Sequence, residues 1–189
     1  MLSYSLVLFA VTCAALVSDG HPLKARQAAA VDDTFNIYAY GEGISGFPLF
    51  YADGKAQIGN AALSTAKVAQ PVYFTISEAS RNVWIAHPNT TGTNPDDAAF
   101  QTAALSLLGA DSTDGTVELK QPTKELISSN EANIFDFYGD YVLTTTGNIN
   151  FYAVRTDAEG VYSLIWSKAA SEHIPVILRT IAPVTDGLF

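Results

Sequence analysis

Apolar and polar residues alternate with a period of two along most of this chain. Phe35, Ile37 and Ala39 take turns with Asn36, Tyr38 and Tyr40. That period belongs to a strand with one face in a core. Pro48–Tyr51 and Lys55–Ile58 flank Ala52-Asp53-Gly54. Asp-Gly between two apolar runs predicts a hairpin, because Gly accepts the positive φ of a tight turn. Val72–Ile76 and Val83–Ala86 predict a second hairpin around Glu78–Arg81. Ile134–Tyr138, Tyr141–Thr145 and Ile149–Arg155 are parted by Gly139-Asp140 and Gly147-Asn148, and Val161–Ser167 and Val176–Ile181 complete the set. About ten short strands with turn signals every 8–12 residues predict an all-β domain, an antiparallel β-barrel or β-sandwich. Phe50–Ile58 and Leu143–Phe151 both read as strand, Gly turn, strand, which keeps a β-trefoil-like fold as the alternative.

One segment follows a different period. Asn94 can cap a helix with Pro95 at its first position and Asp96 and Asp97 in its first turn. Ala99, Ala103, Leu107 and Phe100, Ala104, Leu108 recur at helical spacing before Gly109, so one short helix is predicted here. A strand over Gln101–Leu108 is the competing reading. Ala110–Gly115 reads as a polar turn and Lys120–Ala132 as a surface loop.

The N-terminus changes the picture of where the domain works. Leu2–Val17 is an apolar run followed by Ser18 and Gly20, the pattern of a signal peptide over residues 1–20. His21–Arg26 reads as a pro-segment ending in a basic processing site, so cleavage is expected after Gly20, Arg26 or both, leaving a single secreted β domain over 27–189. The chain's one cysteine, Cys13, falls inside the apolar run. The mature chain is then cysteine-free, and packing and hydrogen bonds must hold it in an oxidising space. The net charge of −9 becomes more negative by one when Lys24, Arg26 and Asp19 are removed. That balance argues against nucleic acid or an anionic membrane surface as partner. No second long apolar segment suggests a membrane anchor.

Few residues form a pattern that demands chemistry. His87 and His173 could act as an acid–base pair, but both sit where surface histidines are common. No spacing predicts a metal or cofactor site. Asp111, Thr113 and Asp114 lack the spacing of a calcium loop, and His21 would ligate copper only as a mature N-terminus. Glycoside hydrolysis needs two carboxylates; Glu42, Asp136 and Asp140 are candidates that no spacing joins, so no residue is assigned as catalytic. Aromatics are the remaining clue. Trp84 and Trp166 sit at strand centres, where rings usually pack. Exposed with Tyr38 and Tyr40, they would offer stacking faces for glycan rings. Asn89-Thr90-Thr91 is a sequon, which in an exported chain marks Asn89 as a glycan acceptor.

Five stretches carry a resemblance: Phe35–Gly41, Gly46–Gly54, Val83–Asn89, Gly160–Trp166 and Ile174–Arg179. With them the chain resembles uncharacterised small secreted proteins of filamentous fungi, from about Thr34 to Pro183. Its strand order is more distantly similar to phialide-type fungal cell-wall proteins. The resemblance implies an extracellular or wall-associated protein and supplies no active-site residue. The expected function is a secreted, non-enzymatic protein that contacts cell-wall polysaccharide or a host surface component. A carbohydrate hydrolase using two carboxylates and a carrier of small apolar ligands are the alternatives.

Overall fold

The computed structural model describes residues 33–91, 98, 100–109, 113–169 and 172–184. The leader with Cys13, Gly20 and Arg26, the segment Asn94–Asp97, and Asp111 lie outside the described residues. Twelve strands follow in chain order: β1 Tyr38–Gly41, β2 Ile44–Ala52, β3 Lys55–Gly59, β4 Ala69–Ser77, β5 Ser80–Pro88, β6 Ala103–Leu107, β7 Asp114–Lys120, β8 Phe135–Tyr138, β9 Tyr141–Thr144, β10 Asn150–Arg155, β11 Val161–Ser167 and β12 Ile174–Arg179. A 3-10 turn at Ala61–Leu63 and one short helix, α1 at Lys124–Ser128, complete the described elements.

Ten of the strands close into an antiparallel barrel in the order β1-β2-β4-β5-β6-β7-β3-β11-β10-β12, with β12 pairing back onto β1. Closure settles barrel against sandwich, because β12 bonds to both β1 and β10 and leaves no gap there for two separate sheets, and ten strands in one ring exceed the six of a trefoil's barrel. The β2–β3 hairpin also pairs directly across this ring, which divides it into two smaller circuits. Strand β2 can serve both because it bends. Gly46 sits at φ 73° beside the register shift between Ala39 and Tyr40 in β1, so the first half of β2 pairs with β1 and the second with β3 and β4.

The hairpin at Asp53-Gly54 forms as predicted, with φ of 48° and 84° as a type I′ turn requires. The Leu143–Phe151 echo does not. Strand β9 pairs with β8 and β12, while β10 pairs with β11 and β12, so Gly147-Asn148 joins two strands that do not pair with each other.

The predicted helix is also corrected. Ala103–Leu107 is strand β6, hydrogen-bonded to β5 and β7 and buried at every position. A strand covered on both faces reads as a continuous apolar run, which periodicity cannot tell from a helix. The polar segment after β7 covers that region. Lys120 Nζ lies 3.0 Å from Glu118 and 3.4 Å from Glu131, and Glu131 Oε1 accepts the Gly109 N–H at 3.2 Å.

The barrel interior is packed with Ile37, Phe74, Trp84, Leu105, Phe135, Leu164 and Trp166, each at most 2% exposed. A second cluster of Phe50, Ala52 and Val161 lies apart from this core, packed by Ala61, Ala66 and Ala69 of the segment after β3. No helix of the described residues is long and apolar enough to cross a membrane.

Candidate functional site

Both tryptophans are core, as expected for rings at strand centres, so neither offers the stacking face that exposure would have given. Each is 0% exposed. Trp84 stacks on Phe137 at 4.4 Å and Phe135 at 5.2 Å, and its Nε1 donates to the Arg81 carbonyl. Trp166 Nε1 donates to the Leu108 carbonyl at 3.2 Å.

The tyrosines divide differently. Ile37 and Ala39 point into the barrel, so Tyr38 and Tyr40 face outward, half-buried. Tyr38 pairs with Arg179 of β12, Arg179 with Tyr141 of β9, and Tyr141 with Tyr138 of β8. Residues directly opposite in a sheet share a face. The four side chains therefore form one row across four strands, roughly 14 Å long at the usual strand spacing. Tyr138 is 74% and Tyr141 40% exposed. They flank the two-residue loop Gly139-Asp140, where Gly139 at φ 60° provides the first position of a type II′ turn.

Arg179 organises the row. Its guanidinium carbon lies 4.9 Å from the Tyr141 ring centre and 5.6 Å from that of Tyr40. Nη2 donates to Asp140 Oδ2 at 3.2 Å, and the Tyr40 hydroxyl donates to the Ile181 carbonyl at 2.7 Å. These bonds hold the rings against a cation that also neutralises Asp140. Arg179 Nε is buried without a hydrogen-bond partner.

Tyr38 also lines an open cleft of about 590 Å³ between β1, β2 and the 3-10 turn. That volume lies in the range of roughly 300–1,000 Å³ typical of small-ligand sites. Its walls are apolar, from Phe47, Pro48, Phe50, Leu63, Pro71 and Val72. Its polar groups include the amides of Asn36, Asn60 and Asn89. Asn60 and Asn89 spend Oδ1 on the N–H groups of Ala62 and Thr91, which leaves their Nδ2 groups as donors. No charged side chain lines this cleft, nor the two smaller cavities of about 410 and 280 Å³.

The carboxylates considered for hydrolysis are therefore not brought together at any of these three cavities. Glu42 is exposed in the β1–β2 turn, Asp136 lies 3.6 Å from Arg81, and Asp140 is bonded to Arg179. His87 lies in β5 and His173 just before β12, and these two strands do not pair. Among the described residues no group of three His, Cys, Asp or Glu could hold a metal ion.

His87 packs its ring on Tyr73 at 5.1 Å, with Nε2 2.9 Å from Thr75 Oγ1. Burial holds its pKa below the ordinary histidine value. The unfolded chain then binds a proton that the folded chain resists. The resulting stability is present above about pH 6.5 and is lost as pH falls through the lower folded value. Urea midpoints between pH 7.5 and 5 are expected to fall for the wild type and to fall less for His87→Gln. Equal slopes would remove His87 from this role.

Tyr138 and Tyr141 counted only among the chain's many tyrosines, and Arg179, Asn36 and Asn60 were not singled out from the sequence. A signal for the first two existed: tyrosines on either side of a two-residue turn must be cross-strand neighbours. No comparable local signal marks Arg179, because its partners come from β1 and β9. The chain matches no protein-family model, and neither the curated proteins nor the solved structures compared with it include a match.

Proposed function

We propose that this chain is an extracellular carbohydrate-binding barrel. It acts by holding a neutral glycan of the cell wall or of a host surface along the tyrosine row, and performs no turnover. The observation that carries this reading is the row of Tyr38, Tyr141 and Tyr138, held in place by Arg179, with Tyr138 and Tyr141 exposed. Sugar rings have apolar C–H faces and hydroxyl edges. Tyrosine rings suit the faces and tyrosine hydroxyls suit the edges. Arg179, the one charged side chain of the row, is already paired with Asp140, so phosphates and carboxylated sugars would lose hydration without gaining a free cation.

Secretion and wall association rest on the N-terminal pattern and on the likeness to fungal secreted proteins. They fit a cysteine-free, acidic mature chain. The test is retention of purified protein on insoluble chitin, β-glucan and mannan. Retention on at least one is expected, and persistence at high salt is expected because ring–sugar contacts are uncharged and Arg179 is already paired with Asp140. Protein left wholly in solution with all three would refute the reading.

A carrier of small apolar ligands is the second reading, favoured by the apolar cleft walls. It concerns the surface cleft alone, since side chains fill the barrel interior. Displacement of a neutral fluorescent dye by alkanes, combined with no retention on polysaccharide, would select it.

A further inference from the structure

The sequon and the cleft meet. Asn89 follows β5 directly, and its backbone is tied to the cleft wall: its N–H donates to the Pro71 carbonyl at 2.8 Å, and its own carbonyl accepts from Gln70 Nε2 at 2.9 Å. Pro71, Val72 and Asn89 all line the cleft. The Asn89 side chain is exposed, and with Oδ1 taken by the Thr91 N–H its Nδ2 is bonded to no described residue. A group attached to Nδ2 therefore starts at the rim of an uncharged apolar hollow. Asn60, which caps the 3-10 turn, lines the same hollow.

We propose that Asn89 carries an N-linked glycan whose first sugar sits in the mouth of the cleft, so that the chain's own modification occupies that space and leaves the tyrosine row for outside ligands. Attachment needs a lipid-linked oligosaccharide diphosphate, the donor class of the secretory route. Nδ2 forms a bond to the anomeric carbon of N-acetylglucosamine and gives up one proton, while the bond from that carbon to the diphosphate oxygen breaks and the diphosphate leaves with the electron pair. The sugar's neutral ring and acetamido group match the cleft: an apolar face for Phe47, Pro48 and Leu63, and polar edges for the asparagine amides. The inference rests on reading the cleft as a seat for sugar. Its consequence is a division of labour: the covalent sugar covers apolar surface that would otherwise face water, and the row of Tyr138 and Tyr141 remains open.

The test uses the full chain expressed in a eukaryotic secretory host. Glycopeptide mass spectrometry reads occupancy at Asn89. Hydrogen exchange then follows the 60–64 segment, whose turn is held by the single bonds from Leu63 N to Asn60 O and Ser64 N to Ala61 O. Protein trimmed enzymatically to one N-acetylglucosamine is expected to exchange there at least threefold more slowly than Asn89→Gln and Thr91→Ala, two independent routes to the unmodified chain. Thr91→Ser keeps the sequon and is expected to restore protection. An unmodified Asn89, or a modified one with unchanged exchange, would overturn the inference. The polysaccharide test above separates the two ideas: Thr91→Ala is expected to stay retained, and retention of the wild type together with equal exchange in trimmed protein and Thr91→Ala would refute the inference alone.

Discussion

Trp84→Ala is expected to destabilise the fold by about 3–5 kcal/mol, the usual cost of removing a buried tryptophan from a packed core. Trp84 is fully enclosed, with Phe137 and Phe135 stacked on it and Phe35 meeting it edge-on at 5.2 Å. These rings come from the start of the described chain, from β5 and from β8, so one side chain joins the barrel wall to the β8–β9 hairpin. Domains of ordinary stability have about 5–15 kcal/mol in total. The variant should therefore lose a large part of its folded population under mild denaturant. Urea unfolding followed by far-ultraviolet circular dichroism checks this. Trp84→Phe should recover much of the loss, because it retains an aromatic ring with less volume. A Trp84→Ala midpoint within about 1 kcal/mol of wild type would mean that the ring is not the core element described here.

Gly59→Ala is expected to cost about 2–5 kcal/mol for a different reason. Gly59 sits at φ 121°, a backbone conformation that residues with a Cβ rarely adopt. An added Cβ would meet the Gly160 carbonyl oxygen at 2.2 Å, a backbone atom that cannot rotate away. Gly59 pairs with Val161, so relief requires β3 and β11 to separate where they close the barrel. Both Gly59 and Gly160 also line the cleft. Gly54→Ala is the comparison: its φ of 84° is strained, but no atom lies within 4 Å of the added Cβ. The Gly59 variant should unfold at clearly lower urea than the Gly54 variant. Equal midpoints would show that close approach of β3 to the Gly160 turn is not needed for closure.

Much of the fold was legible because its strands are covered on one face. β11 spans Val161–Ser167 as predicted, and the Asp-Gly and Tyr-Gly-Asp-Tyr turns carry their own geometry in sequence. β6 was hidden by burial on both faces. β7 was missed because no predicted element covers Thr116–Leu119, while Asp114, Gly115 and Lys120 at its ends read as turn and loop; Thr116, Glu118 and Lys120 alternate with only two apolar residues. They form its outer face, while Val117 and Leu119 point inward. The site was less legible than the barrel. Tyr38 and Tyr40 could be named from their strand, but the meeting of Tyr38 with Arg179, and of Arg179 with Tyr141, depends on how the ring closes. That is a long-range property, and no local pattern encodes it. The tryptophans were legible as core, because rings at strand centres usually pack, and both are fully enclosed.

The direct measurement is a titration of protein carrying ¹³C-labelled tyrosine rings with a soluble oligosaccharide of the polysaccharide that retains it. Ring signals of Tyr38, Tyr138 and Tyr141 should shift together, while buried Tyr162 stays fixed. The double variant Tyr138→Ala, Tyr141→Ala should bind about tenfold more weakly or worse with its urea midpoint little changed, since these rings are exposed. Binding that leaves the three rings unmoved, or full affinity in the double variant, would contradict the tyrosine row as the glycan surface.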